Sequence, residues 1–173
     1  IIISVLDNGM AAGMQSALIG FSNLFVVRYM NMFDTASVAG IGIAQRLDKF
    51  VVLPSKSFGI TMTTFVSQNL GAERYEQIKP GKQQCVLLAV AVTLVLSGAV
   101  YVLAPQCAAL FNSEEKVVSV ASDMMRAFLP LMFLVAMREV YLGVMRGYQK
   151  NFAPMVLSLI GMVGFRQAFL TLT

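Results

Sequence analysis

Residues Ala36–Glu76 read ASVAGIGIAQRLDKFVVLPSKSFGITMTTFVSQNLGAERYE. Apolar residues dominate this run, yet Arg46, Asp48 and Lys49 sit inside it. A soluble core helix rarely needs about 35 residues, whereas a membrane helix needs about 20 apolar ones and more when tilted or kinked. Pro54 supplies a kink, because it lacks an N–H and its ring clashes with the carbonyl one turn back. The stretch reads as one long, bent membrane helix whose charges face a cavity. A charge facing lipid costs roughly 2.5–3.5 kcal/mol or more, so charges at this depth usually serve a purpose. Lys56, two residues after the proline, is placed to donate to a freed carbonyl.

The rest of the chain agrees. Its 173 residues are 57% hydrophobic and 13% charged, more apolar and less charged than the globular average of about 45–50% and about 25%. The composition predicts an all-α, polytopic membrane bundle. A net charge of +4 without a basic patch interleaved with aromatics gives no reason to expect nucleic acid; the cations suit membrane flanks. There is no His, which removes His-based catalysis and most zinc sites. Cys85 and Cys107 fall too far apart along one expected helix to bridge, and no metal or redox motif surrounds them. No nucleophile–base pair or phosphate loop is present, so no enzymatic activity and no cofactor are expected.

Five helices are expected. The first covers roughly 8–29, with small residues four apart (Gly9, Gly13) and a polar stripe including Gln15, Ser16, Ser22 and Asn23. That stripe reads either as interhelical hydrogen-bond glue or as a cavity lining. The second is the opening stretch, with Gly71 as its terminator and a loop to about Lys82. The third, Lys82 to Ala104, carries no charge after Lys82 and stops at Pro105. The fourth runs from a cap at Asn112 or Ser113 to about Met145, with a kink at Pro130, an Asp123–Arg126 pair, Arg138 and Glu139 within the membrane, and small residues at Gly143 and Gly147. The fifth starts near Asn151 and Pro154. Lys and Arg concentrate in the loops near 73–82 and 146–150, which places those loops in the cytoplasm. The chain opens on Ile within an apolar run and stops at Thr173 within another; it is expected to be a piece of a longer protein.

The segments GMQSALIGFSN (13–23), AQRLDKFVVLPSKSFG (44–59), TTFVSQNLGAERYEQ (63–77) and REVYLGVMRGYQKNFAPM (138–155) together resemble the C-terminal lobe of multidrug and toxic compound extrusion transporters. The resemblance spans nearly the whole chain, 1–173, in order and spacing. It implies twelve helices in two lobes, of which this chain supplies five of the six in one lobe. It further implies a missing N-terminal lobe as partner, a lipid bilayer of the cell membrane, a cationic or amphipathic small-molecule substrate, and export driven by Na⁺ or H⁺. Two departures stand out. Where relatives often have proline in the first helix, this chain has Met10–Ala11–Ala12, and after Asp7 that helix holds no acid. A coupling site would therefore use Asp48 or Glu139 in this lobe, or else lie in the absent lobe.

Candidate cavity or ion-pathway residues are Gln15, Asn23, Arg46, Asp48, Arg138 and Glu139. Arg46 and Lys49 share a helix face, with Asp48 about 100° from Lys49. The cluster reads either as a structural ion-pair group or as a cavity wall where Asp48 attracts a cation and Arg46 tunes it. Arg138 and Glu139 read either as a local pair or as part of a cytoplasmic-side gate. Two other functions remain open: a lipid-linked oligosaccharide flippase, expected to have fourteen helices and a more cationic cavity, and a non-transporting membrane fragment.

Overall fold

The computed structural model describes residues 34–149 together with Gly13, Ala17, Gly20 and Val156. The chain divides into two units, and the one described below is Phe33–Tyr148. Gln15 and Asn23 lie outside the described residues, although Gly13, Ala17 and Gly20 of the same expected helix are helical.

Every regular element among the described residues is helical. Helix α1 spans Thr35–Gly71. It starts where the Asp34 carboxylate accepts the Ser37 N–H at 3.3 Å, satisfying one of the free donors of the first turn. The helix continues through Pro54 without interruption. At its end the Ala72 N–H donates to Gln68 O and the Arg74 N–H to Asn69 O. The left-handed residue of this turn is Glu73, at φ 57°, so Gly71 is the last helical residue and does not reverse the chain.

Helix α2 spans Tyr75–Val102, which corrects the expected loop to Lys82: only residues 72–74 connect α1 to α2. Pro80 lies in the second turn, where it removes one helical hydrogen bond but leaves the span intact. Packing compensates, because Gly81 lets the Phe65 ring of α1 lie directly against the α2 backbone. Helix α3, Ala104–Ala109, has Pro105 in its first turn, so the chain continues helically past the expected stop at that proline. Cys107 lies on α3, away from Cys85 on α2, and both thiols are free.

Helix α4 spans Glu115–Phe128. Its expected caps do not form: Glu114 is the capping residue and makes no side-chain cap, while Asn112 Oδ1 accepts the Glu114 N–H at 2.8 Å one step earlier. Asp123 and Arg126 form no ion pair. Pro130 produces one turn of 3₁₀ helix, Leu129–Leu131, before α5, Met132–Gly147. A tighter turn is a common answer to the N–H that proline lacks.

Two of these lengths, Tyr75–Val102 and Glu115–Gly147, are long and apolar enough to cross a membrane. The fold is an all-α membrane helix bundle, with α1 longer than either span and carrying four charges in its middle.

Helix α1 is the centre of the unit. Its first half packs Ile43, Ala44 and Val51 against Ala104 and Ala108 of α3, Val117, Ala121 and Met125 of α4, and Leu129. Its second half packs Met62 and Val66 against Ile78 and Ala89 of α2 and Ala136 and Val140 of α5. Moving these side chains from lipid to protein gains little by the hydrophobic effect, so close packing and interhelical hydrogen bonds hold such a bundle. The α1–α5 seam shows both. Gly59, Thr63 and Ser67 recur every four residues on α1, opposite Glu139, Gly143 and Gly147 on α5. Gly59 and Gly143 touch backbone to backbone. The Thr63 hydroxyl lies 3.0 Å from Gly59 O and 3.1 Å from Gly143 O, and Ser67 Oγ donates to Gly147 O at 3.2 Å. Across α1–α2, Ser55 and Thr93 share a buried hydroxyl bond of 3.0 Å.

Candidate functional site

The face of α1 turned away from these neighbours forms a continuous exposed stripe. Arg46, Lys49, Phe50, Leu53, Lys56 and Ser57 begin it, and Ile60, Thr61, Thr64 and Gln68 extend it. At about 100° per residue these positions fall within one face about 140° wide. Phe50 and Ile60 are 64% and 65% exposed, too open for core residues. A groove of about 570 Å³ lies along the stripe, lined by Phe50, Leu53, Pro54, Ser57, Phe58 and Thr61. Its hydroxyls are satisfied within the helix: Ser57 Oγ donates to Leu53 O at 3.2 Å and Thr61 Oγ1 to Ser57 O at 2.9 Å. Both side chains are exposed, so the groove is an apolar floor with polar edges.

The charged cluster separates across this helix. Arg46 and Lys49 lie on the stripe, as their spacing requires, and Lys56 joins them. Lys56 donates to no freed carbonyl among the described residues. Asp48 lies about 200° round from Arg46 and about 20° from Gly59, on the packed side. It is partly buried, and its Oδ1 is fully enclosed without a hydrogen-bond partner. The cations whose charge reaches it are Lys56 and Lys49.

The second candidate pair lies on α5. Arg138 Nη2 donates to Glu139 Oε1 at 2.6 Å, with the Glu139 side chain 10% exposed and that of Arg138 46% exposed. Glu139 sits against Gly59 of α1. Asp48 is eleven residues before Gly59, about 16 Å along the axis. The structure therefore keeps Asp48 apart from Arg138, and no ion pair joins them.

Sequence reasoning passed over three further features. The Ser55–Thr93 pair and the Thr63 and Ser67 contacts are visible in the sequence only as hydroxyl residues within apolar runs. The Asp34–Lys116 ion pair joins the starts of α1 and α4 at 2.5 Å. Hydrogen bonds from Lys116, then Ser37, hold the Asp34 carboxyl down at about 2. Lys82 of α2 lies over the Tyr141 ring of α5 at 5.5 Å, within reach of a cation–π attraction.

The MatE family model matches residues 11–170. The chain belongs to the MatE family. Among curated relatives it is 23% identical over 164 residues to the probable multidrug resistance protein YoeA of Bacillus subtilis, covering 95% of this chain and 35% of that protein. It is 26% identical over 149 residues to the probable multidrug resistance protein NorM of Halalkalibacterium halodurans, covering 82% of this chain and 32% of the relative. A 67-residue stretch is 30% identical to the probable multidrug resistance protein YpnP of Bacillus subtilis, covering 39% of this chain and 15% of that protein. The chain thus spans about a third of the length of the first two MatE relatives. No solved structure matches it significantly.

Proposed function

We propose that this chain is the C-terminal lobe of a secondary active antiporter that exports small amphipathic molecules by alternating access, in exchange for Na⁺ or H⁺. The observation that carries the reading is the exposed stripe of α1, polar and charged on a helix that packs along both membrane-length spans and is backed by a tightly packed seam. Charges at membrane depth are tolerated where they line a water-filled cavity, and a groove of this size falls in the range of small-molecule sites, about 300–1,000 Å³. The names of the relatives, all probable multidrug resistance proteins, support the same class.

In this reading the α1–α5 seam makes the lobe stiff enough to rock as a body against the N-terminal lobe, the motion that exchanges access in transporters built from repeats. The turn at 72–74 with the start of α2, and the turn at 148–149, face the cytoplasm of a cell-membrane protein. The enclosed, unpartnered oxygen of Asp48 makes it a better coupling carboxylate than Glu139, whose oxygen is already engaged by Arg138. A lipid-linked anion flippase is the second reading, favoured by the three cations on the stripe.

The test is dye transport by membrane vesicles containing the full-length protein, with ethidium (cationic), N-phenyl-1-naphthylamine (neutral) and 1-anilinonaphthalene-8-sulfonate (anionic) as probes. Export of any probe should stop when one of the Na⁺ and H⁺ gradients is collapsed, and Asp48→Asn should lose that dependence. Absence of export for all three, with folded protein in the membrane, would sink the antiporter and favour the flippase.

A further inference from the structure

A second groove, of about 350 Å³, lies between α2 and α5. Lys82, Gln83, Val86, Leu87 and Val90 of α2 line it together with Tyr141 of α5. On α2 these positions fall within one face about 140° wide, with Lys82 and Gln83 at the polar end. Val90, at the apolar end, lies about 12 Å beyond Lys82 along the axis. The Lys82 ammonium sits 5.5 Å from the centroid of the Tyr141 ring. No carboxylate of the described residues pairs with it: Glu76, on the previous turns of α2, is about 120° round the helix, and Glu139 on α5 is held by Arg138. An ammonium has three N–H donors, so Lys82 over the ring keeps donors for an anion.

The depth of this groove follows from the make-up of α2. Residues 85–104 carry no charged side chain, matching the about 20 residues needed to cross hydrocarbon. Lys82 therefore stands just outside that run, at headgroup level, beside an aromatic residue of the kind membrane interfaces favour. From there the groove descends about 12 Å, close to one leaflet of a core about 30 Å thick. Its wall is open, with Leu87 70% exposed.

We propose that this groove holds one anionic phospholipid, its phosphate on Lys82 and Gln83 and an acyl chain along Val86, Leu87 and Val90. Basic recesses between membrane helices bind anionic headgroups. A free interfacial lysine only snorkels to water, whereas here a ring fixes the ammonium and an apolar channel starts beside it. A zwitterionic lipid would bring its own cation up to Lys82 and be held less well. The inference concerns α2 and α5, not the stripe of α1, and stands apart from the antiporter reading.

The experiment is native mass spectrometry of the full-length protein in detergent, titrated with phosphatidylglycerol and with phosphatidylcholine of the same chains. The wild type should bind phosphatidylglycerol about tenfold more tightly. Lys82→Gln should lose most of that preference and Lys82→Arg should keep it. Arg74→Gln, which removes an exposed cation from the turn before α2, should leave it within about twofold. Val90→Trp, with Lys82 in place, should weaken binding of both lipids by blocking the apolar end, and it tests the site independently if Lys82→Gln does not fold. Equal binding of the two lipids by the wild type, or unaltered binding by Val90→Trp, would overturn the site. Equal losses in Lys82→Gln and Arg74→Gln would overturn it too, since surface charge alone would then account for the preference. Each of these results leaves dye export, and with it the antiporter, standing.

Discussion

Gly59 and Gly143 meet backbone to backbone, and a Cβ added at Gly59 would lie 2.8 Å from the Glu139 carbonyl oxygen. Neither neighbour is a flexible side chain, so α1 and α5 would have to separate. Gly59→Ala and Gly143→Ala should each cost about 1–3 kcal/mol, the range for overpacked cores, read as a lower melting temperature in detergent. Gly98→Ala is the control, since a Cβ there meets nothing within 4 Å. A second residue-level expectation concerns Asp34, whose folded-state carboxyl lies near 2 against an ordinary 3.8. A carboxyl lowered by folding stabilises above its unfolded value, and that contribution is lost as pH falls through its folded value. The melting-temperature gap between wild type and Asp34→Asn should therefore be full above about pH 4 and should close toward pH 2. Because both side chains are largely exposed, added salt should shrink the gap too. Asp34→Ala should melt below Asp34→Asn, because Asn keeps an oxygen for the Ser37 N–H.

At the scale of the elements, Ser55 and Thr93 supply a buried hydroxyl bond between α1 and α2. Thr93→Val and Ser55→Ala should each lower stability by about 0.6–2 kcal/mol, and the double variant should lose less than the two combined, as expected for partners. Measured additivity would show that the hydroxyls do not act as a pair. Much of this level was legible beforehand. Hydropathy and length gave α1 its start and end within a few residues, and Pro130 marked the break between α4 and α5. The start of α2 was not legible, because Pro80, Gly81 and five nearby charges match the composition of a loop. What makes that segment helical is tertiary, the Phe65 ring seated on Gly81. The site was legible in part. Helical arithmetic places Arg46 and Asp48 on different faces, but which face packs depends on α2, α4 and α5. A single helix's sequence does not contain that information.

For the whole molecule, α1 acts as a wall with two sides: one fixed to α2, α4 and α5 by small residues and hydroxyls, the other open along a charged, grooved stripe. The account stands on that second side meeting water at membrane depth. Membrane charges on lipid-facing surfaces would be costly, and α2 has the make-up such a surface needs, with Leu87 and Val95 exposed and no charge between Lys82 and its end. The most direct measurement is labelling by a membrane-impermeant maleimide in the full-length protein, with Cys85 and Cys107 replaced by Ser. Single cysteines would stand at Ser57, Thr61 and Thr64 on the stripe and at Leu87 and Val95 on α2. The account predicts labelling at the three stripe positions and none at the two α2 positions. Stripe positions as unreactive as those on α2 would mean that α1 faces lipid or protein there, and the cavity wall would be contradicted.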